Sequence, residues 1–558
     1  MASAEADAPP NVSLLTRHIL AELLKVMLIT CVVLVTVIAF GAAVRPLADD
    51  LLGPIDALKY IALAMVPMLQ FALPFAAGFA ATMVLHRMVS DNELLAMSVS
   101  GLSYRRIFTP VAWLGILLAA VMLVLVNSAV PQVWVLMRAT LERDVTRLFV
   151  NRISQGTAFE RGSLQIHADA VAQDAPPPGS AASGRMRLGG VAAVQFDRER
   201  NPTIEFTSEM ATVDIYRDET GTFLKPSLLN ATVYRAEDGT LAFMPRAEPE
   251  AVRLADASPL RPKFMTYFQI QRLRANPEAA PTVKAARIRL ERTLREARLW
   301  EALDEACRAG RAITLKDPLG RSAYLVEAGR VSSRRLLPRE GGQGATVRIT
   351  EIVDGRTVRV AETGEVRLVV QEVGVDGDGI AVDMLVADAT VRLVGDGTAG
   401  RRWPPRLSGL RLGEEPGADL RLRTLDELRE EGSSLGDGPG PRTELRALAA
   451  TRIAQIELAE VELRHEISAR LSQRVAVSFA APLVLLLGAT LAAWRRNAVP
   501  LAIYVAAFLP SIADILLIAG GEQMMKEGRI ASGLAVMWSG NVVMAVIIAV
   551  AWSRLRRN

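Results

Sequence analysis

The side chains that most often do chemistry are few and scattered in this sequence. His18, His86, His167 and His465 are its four histidines, and no two stand at a metal-ligand spacing, which points to solvated or interfacial roles and to no metal site. Cys31 falls in an apolar run and Cys307 in a charged region; an intrachain disulfide is not expected, and cysteine usage does not fix a compartment. Ser478 and Ser511 lie in apolar runs without a His or Asp partner and read as helix-packing residues, not nucleophiles. No Gly-x-x-x-x-Gly-Lys-Ser/Thr phosphate loop occurs, so any nucleotide energy must come from another polypeptide. The expectation is a protein with no catalytic residue, metal or cofactor.

Two features carry the chemistry of binding instead. In the segment 86–108, HRMVSDNELLAMSVSGLSYRRIF, Ser90 or Asp91 can cap a short helix. Asp91 and Glu93 fall in its first turn, where acids favour the helix dipole, and Gly101 is suited to end it. Leu94, Leu95, Met97 and Val99 are then free to face a membrane or a partner, although a plain surface helix would also have an apolar face. The second feature is Arg45, just before Pro46 at the end of the first apolar run. A guanidinium there can pair bidentately with a phosphate at headgroup depth. The commoner role is an interfacial anchor that snorkels to water. Asp49, Asp50 and Asp56 nearby are ordinary loop solvation.

The elements that must position these residues follow from the distribution of charge. The chain has 558 residues, 51% of them hydrophobic and 22% charged, and a formal charge of +4, with a positive mean hydropathy of +0.24. Disorder and a small disulfide scaffold are excluded, and the near balance of sign does not suggest a nucleic-acid partner. Residues 1–127 carry 7 Lys/Arg and 8 Asp/Glu, residues 472–558 carry 8 and 3, and the 344 between carry 49 of each. Sparse ends around a dense middle indicate two membrane-embedded parts flanking a soluble insert. Uncharged runs at 26–44, 60–85, 107–137, 475–494, 497–513 and 530–552 are each close to or beyond the roughly 17 to 25 residues of a spanning helix. Pro131 is expected to mark where the overlong third run leaves the hydrocarbon, and residues 515–521 to complete the fifth. The first residues, with acids and prolines but no basic stretch, read as a disordered tail and not a cleaved signal peptide.

With the N-terminus cytoplasmic, the inner side collects Arg17, Lys25, Arg87, Arg105, Arg106, Arg495, Arg496, Arg554, Arg556 and Arg557, against Arg45, Lys59, Lys526 and Arg529 outside. That asymmetry favours both termini inside and an extracytoplasmic middle. Within the middle, residues 162–240 alternate apolar and polar side chains between turns, as a half-buried antiparallel sheet does. A helical stretch at about 283–306 follows, then a second strand-rich block at 313–398 and a second helix at 444–471. Asn230-Ala-Thr-Val with Asp238-Gly-Thr, and Asp388-Ala-Thr-Val with Asp396-Gly-Thr, share a spacing of 8 and lie 158 residues apart. The order and offset suggest a duplicated β-module; alternating strands match one another cheaply, so chance agreement is the competing reading.

The segment SDNELLAMSVSGLSYRRIFTP, with LPFAAGFAATMVLHRM before it, resembles the inner-loop signature of the LptF/LptG permease family. LTRHILAELLK, HEISARLSQRVAVSFAAPLVLLLGATL and GRIASGLAVMWSGN are similar to that family's first helix, entry to the fourth, and last outer loop with the sixth. The resemblance implies an α-helical polytopic membrane protein of the bacterial inner membrane, six transmembrane helices arranged 3+3 around a large extracytoplasmic β-rich, jelly-roll-like insert; the insert here is larger than the family's, a departure that the suspected duplication would explain. It implies a permease subunit of an ATP-driven exporter of lipopolysaccharide or a related anionic glycolipid. Its partners would be a cytosolic ABC ATPase dimer, a second LptF/LptG-type subunit and a periplasmic bridge protein. Asp91, Glu93 and Gly101 would form the ATPase-docking coupling helix, and Arg45 would lie beside the transport cavity at the lipid headgroup.

The expected layout is a tail at 1–16, helices one to three at 17–137 with the coupling helix at about 91–101, β-module one plus helix at 138–311, β-module two plus helix at 312–471, and helices four to six at 472–558. Two other readings compete. A membrane-anchored periplasmic scaffold or chaperone would leave the coupling helix unoccupied, and a lipid-modifying enzyme would need an acid/base cluster at the outer surface.

Overall fold

The computed structural model describes residues 12–48, 54–137, 159–161, 164–176, 182–197, 201–218, 221–236, 240–247, 252–255, 261–317, 322–339, 346–373, 379–394, 403–413, 416–436, 441–495 and 498–557. It divides into two units, Met1–Asn276 with Glu462–Asn558, and Pro277–Val461.

In the first unit the helices are α1 (Val12–Ala48), α2 (Pro54–Ser90), α3 (Glu93–Val99), α4 (Tyr104–Val124) and α5 (Tyr267–Ala275). It also holds the later part of α8 (Arg442–Trp494), with α9 (Pro500–Lys526) and α10 (Ile530–Arg557). Six helices are long and apolar enough to cross a membrane, namely α1, α2, α4 with its continuation to Met137, α8, α9 and α10. Their packing follows from residue type. On α1, Ile19, Leu23, Met27, Cys31, Val35, Ala39 and Ala43 are buried, while Leu28, Val32, Val33, Val37 and Phe40 face outward. An i, i+4 row turned to neighbouring helices and an apolar back is the arrangement a spanning helix needs. Helices approach closely where side chains are absent. A Cβ on Gly488 of α8 would lie 2.6 Å from the Gly78 carbonyl oxygen of α2, and one on Gly521 of α9 would lie 2.5 Å from that of Gly533 on α10, the small-residue contact of membrane helices.

In the third span the helix continues through Pro131. The helix runs on to Met137, through a π-helical turn at Leu125–Ala129. A π turn widens the ladder just before a residue that offers no N–H, so the proline is accommodated and not a terminus.

Strands β1 (Phe159–Arg161) to β7 (Val252–Ala255) form one antiparallel sheet in sequence order, β1-β2-β3-β4-β5-β6, with β7 also on β5. Its long members are β2 (Leu164–Asp174), β3 (Gly184–Phe196), β4 (Pro202–Asp218) and β5 (Gly221–Arg235), and β6 is Thr240–Ala247. One transverse row, Asp169, Gly190, Glu209, Asn230 and Pro245, drops out of the ladder while the register on both sides stays the same. Gly190 and Asn230 have φ of 57° and 52°, values that glycine and asparagine tolerate best. The pleat changes phase at this crease. Met186 and Leu188 are buried before it and Val191 and Ala193 after it on β3, as are Ser208 before it and Ala211, Val213 and Ile215 after it on β4, so one face stays buried along the whole strand. Ser208 Oγ lies 2.8 Å from the Met210 carbonyl oxygen and 2.7 Å from that of Leu229, and Asn230 Nδ2 donates to Glu209 at 2.7 Å, which serves groups that the ladder leaves unpaired.

The second unit contains α6 (Pro281–Arg308), strands β8 (Ile313–Lys316) to β17 (Arg406–Leu412), α7 (Leu425–Ser434) and the first part of α8. Between β8 and β17 lie β9 (Ser322–Glu327), β10 (Arg330–Ser332), β11 (Arg335–Leu337), β12 (Val347–Val353), β13 (Arg356–Thr363), β14 (Val366–Val373), β15 (Gly379–Val386) and β16 (Thr390–Leu393), and the strand order is β10-β11-β14-β15-β17-β8-β9-β12-β13-β16. Leu315, Val326, Val347 and Ile349 from one half share a core with Leu336, Val366, Val382 and Met384 from the other, and Trp300, Leu303 and Cys307 of α6 close it. The division between units falls before α6. The two β blocks differ in strand order, a meander against a sheet with several crossovers. What the matched tetrads share is local: Asn230 and Asp388 are both left-handed, at 52° and 50°. Asp238, Gly239 and the Asp396-Gly-Thr segment lie outside the described residues, and Thr240 opens β6.

Candidate functional site

The segment singled out in the sequence forms a short helix where expected, but with different capping. Helix α2 runs through Ser90, so neither Ser90 nor Asp91 caps α3. Asn92, left-handed at φ 59°, is its N-cap and makes no side-chain capping bond. Asp91 donates its N–H to the Arg87 carbonyl at 2.8 Å and closes α2 instead. Glu93 opens α3. Gly101, at φ 87°, gives its N–H to Ser98 and the next N–H, of Leu102, to Met97, both at 3.1 Å. This left-handed closure suits glycine for want of a Cβ.

The apolar residues of α3 divide by direction. Leu94 is buried and joins the core of the helix bundle, with Met97 packed against it, which fixes the helix on its neighbours. Leu95 and Val99 are exposed, Val99 at 81%, an outward apolar surface for a helix of seven residues. The carboxylate of Glu93 is half-buried and that of Asp91 exposed beside this surface. A cleft lined by Val89, Ser90, Asn92, Leu95, Tyr104 and Ala493 opens next to it. Arg87, one turn upstream, pairs with Glu22 of α1 at 3.1 Å.

At the other end of the same helices lies a cationic cluster that the sequence reading did not single out. Arg474 of α8 is 4% exposed. Its guanidinium donates to the carbonyl oxygens of Met265 at 2.6 Å and Pro262 at 3.4 Å, and to Asn127 Oδ1 in the π turn at 3.4 Å. None of these acceptors carries charge. One turn before it, Arg470 meets Glu522 of α9 at 2.8 Å, and Lys526 meets the same carboxylate at 2.5 Å. Lys263 stands over the rings of Trp134 at 5.4 Å and Phe264 at 5.6 Å, a cation–π arrangement. Burial, with Arg470 adding to it, pushes the Lys263 ammonium below its ordinary range. Of these four cations, Arg470 and Lys526 contact a carboxylate, that of Glu522. In the sequence they come from segments 263, 470–474 and 526, and only the fold brings them together. The one legible sign is Arg474, a charge at the edge of an apolar run.

Arg45 lies in the last turn of α1, and its side chain is outside the described residues. His18, His86, His167 and His465 do not converge, and among the described residues no three His, Cys, Asp or Glu side chains could hold a metal ion.

Six apolar helices with a β-rich part between the third and fourth define a multi-pass membrane protein. Residues 17–298, just over half of the chain, match the family described as lipopolysaccharide export system permease LptF/LptG. The chain belongs to that family, a class of non-catalytic transport components. The match takes in α1 from Arg17 on, α2 to α5, the whole first sheet and the first part of α6. No curated protein matches the chain.

Proposed function

We propose that this chain is one permease subunit of an ATP-driven exporter that moves lipopolysaccharide, or a related anionic glycolipid, out of the bacterial inner membrane toward a periplasmic bridge protein. The observation that carries the reading is the family match over residues 17–298, which takes in α3, the first sheet and Lys263. In this reading both termini are cytoplasmic and the β-rich part is periplasmic, in keeping with the flanking charges.

Helix α3 is the docking site for a cytosolic ABC ATPase dimer. Leu94 anchors it to the bundle, Leu95 and Val99 offer the contact, Asp91 and Glu93 accept hydrogen bonds from basic residues of the ATPase groove, and Gly101 sets where the helix stops. A second LptF/LptG-type subunit completes the path through the membrane. At the outer end, the excess of cations around Arg474 and Lys263 favours a phosphorylated headgroup, and Arg45 is assigned to the same task from α1. A common origin of the two β blocks, with a jelly-roll-like first module, rests on the matched segments and their left-handed Asn230 and Asp388; their strand orders have diverged.

The test is purification of the tagged full chain from its native membrane. An ABC ATPase should accompany the wild-type chain and be lost or uncoupled in Glu93→Ala. A scaffold without transport activity would bring no ATPase, and the variant would change nothing.

A further inference from the structure

Asp514 is the only formal charge in α9 between Pro500 and Gly521, and it is 1% exposed. Neither of its carboxyl oxygens has a hydrogen-bond donor. Gly540 of α10 lies directly against it: a Cβ at Gly540 would collide with the Asp514 carboxyl oxygen and come within 2.7 Å of its Cα. The next residue, Asn541, is also buried. Its amide donates to the Ala476 carbonyl of α8 at 3.3 Å, and its own Oδ1 has no donor. The region where α8, α9 and α10 meet therefore presents three acceptor oxygens without a donor.

Among the described residues no nearby charge resolves the mismatch. On α9 itself the next charged group is Glu522, two turns on and engaged by Arg470 and Lys526. Helix α10 has no charged residue between Arg529 and Arg554. On α8 the nearest is Arg474, committed to Met265, Pro262 and Asn127. Helix α2 faces α9 with aromatic rings, Phe75 on Phe508 and Phe79 on Tyr504, and carries no Lys, Arg, Asp or Glu between Lys59 and Arg87; its titratable side chains there are Tyr60, near its start, and His86, at the α3 end.

An ionised carboxylate in such surroundings is strongly disfavoured, and ionisable residues inside membrane helices are usually functional. A hard metal ion would need more oxygen ligands than three, with room for a coordination shell, and the close contact at Gly540 removes that room. A proton needs neither and turns one acceptor into a donor.

We propose that Asp514 is a proton-binding site between α9 and α10, occupied while the two helices are packed and emptied when they part. Proton and helix contact are then linked reciprocally, which makes the site a sensor of the packing of the second helix triplet. The inference does not depend on the transport reading.

The test is infrared difference spectroscopy of the full chain in lipid nanodiscs at neutral pH, wild type against the near-isosteric Asp514→Asn. The wild type should show one carbonyl-stretch band of an un-ionised carboxyl group that the variant loses. Loss of a carboxylate band instead would overturn the proposal, and a carboxylate band that shifts on exchange of sodium for potassium would replace the proton by a bound cation. In Gly540→Ala, where the added methyl drives the helices apart, the acid band should give way to a carboxylate band; an unchanged acid band would overturn the linkage to packing.

Discussion

The Arg474 guanidinium donates to the Met265 carbonyl oxygen at 2.6 Å, and this bond joins the fourth spanning helix to the segment that leads out of the first β-sheet. Asn127 in the π turn accepts from the same side chain at 3.4 Å, so one buried cation ties three separate parts of the chain. Arg474→Ala should leave the Met265 and Pro262 carbonyls without their donor, at about 1 to 3 kcal/mol for a buried polar group left unpaired. Hydrogen exchange of the backbone amides at 261–266 should rise in the variant and recover in part in Arg474→Lys, which keeps one point donor. Unchanged protection in Arg474→Ala would remove the tie.

The crease in the first sheet gives a second expectation. Ser208→Ala removes the hydroxyl between the Met210 and Leu229 carbonyls and should lower stability by about 1 to 3 kcal/mol. Gly190→Ala places a side chain at positive φ, where L residues lose roughly 1 to 2 kcal/mol, and directs it into the Asp169 carboxylate. Thermal unfolding of both variants beside Gly189→Ala, whose Cβ would meet only Ala170 at 3.7 Å, should show losses for the first two and little change for the third.

Cys307, buried on α6, has its thiol pushed up to about 11, first by burial and then by Asp304. A thiol reagent should therefore leave it unmodified near neutral pH in the folded chain and modify it after denaturation. The sign of the linkage follows. Because the folded thiol holds its proton to a higher pH than the unfolded one, this group's contribution to stability is complete below about 8.5 and is lost as pH rises from there through about 11. Fast modification of Cys307 in the native protein at neutral pH would contradict this.

Cysteines placed at the exposed residues Ser332 and Val99 should be labelled by an impermeant reagent from opposite sides of the membrane, Ser332 from outside and Val99 from inside. The reverse pattern would invert the assigned topology.

How much of this was legible in the sequence varies with the physics involved. The six spans are readable because hydrocarbon tolerates almost no charge, so a run such as that of α10 declares itself in composition alone. Helix α3 is readable from Gly101 and the acids before it. Its true start at Asn92 is not, because α2 continues through Ser90 and pre-empts the expected cap. That the helix continues past Pro131 is not readable either, since the π turn that accommodates the proline has no sequence signature. The cluster of Lys263, Arg470, Arg474 and Lys526 is assembled by tertiary contacts between distant segments and has no local signature. Matching alternating strands identified two β blocks but not their strand orders, which depend on non-local pairing that period-two patterns do not encode.

The most direct measurement is mass spectrometry of what the wild-type chain and Glu93→Ala retain when purified from native membranes. If the chain is a lipid-exporting permease, the wild type should carry an ABC ATPase together with a phosphorylated glycolipid, and Glu93→Ala should lose the ATPase or its coupling while keeping its fold. A wild-type preparation with bulk phospholipid alone and no ATPase would contradict the assignment.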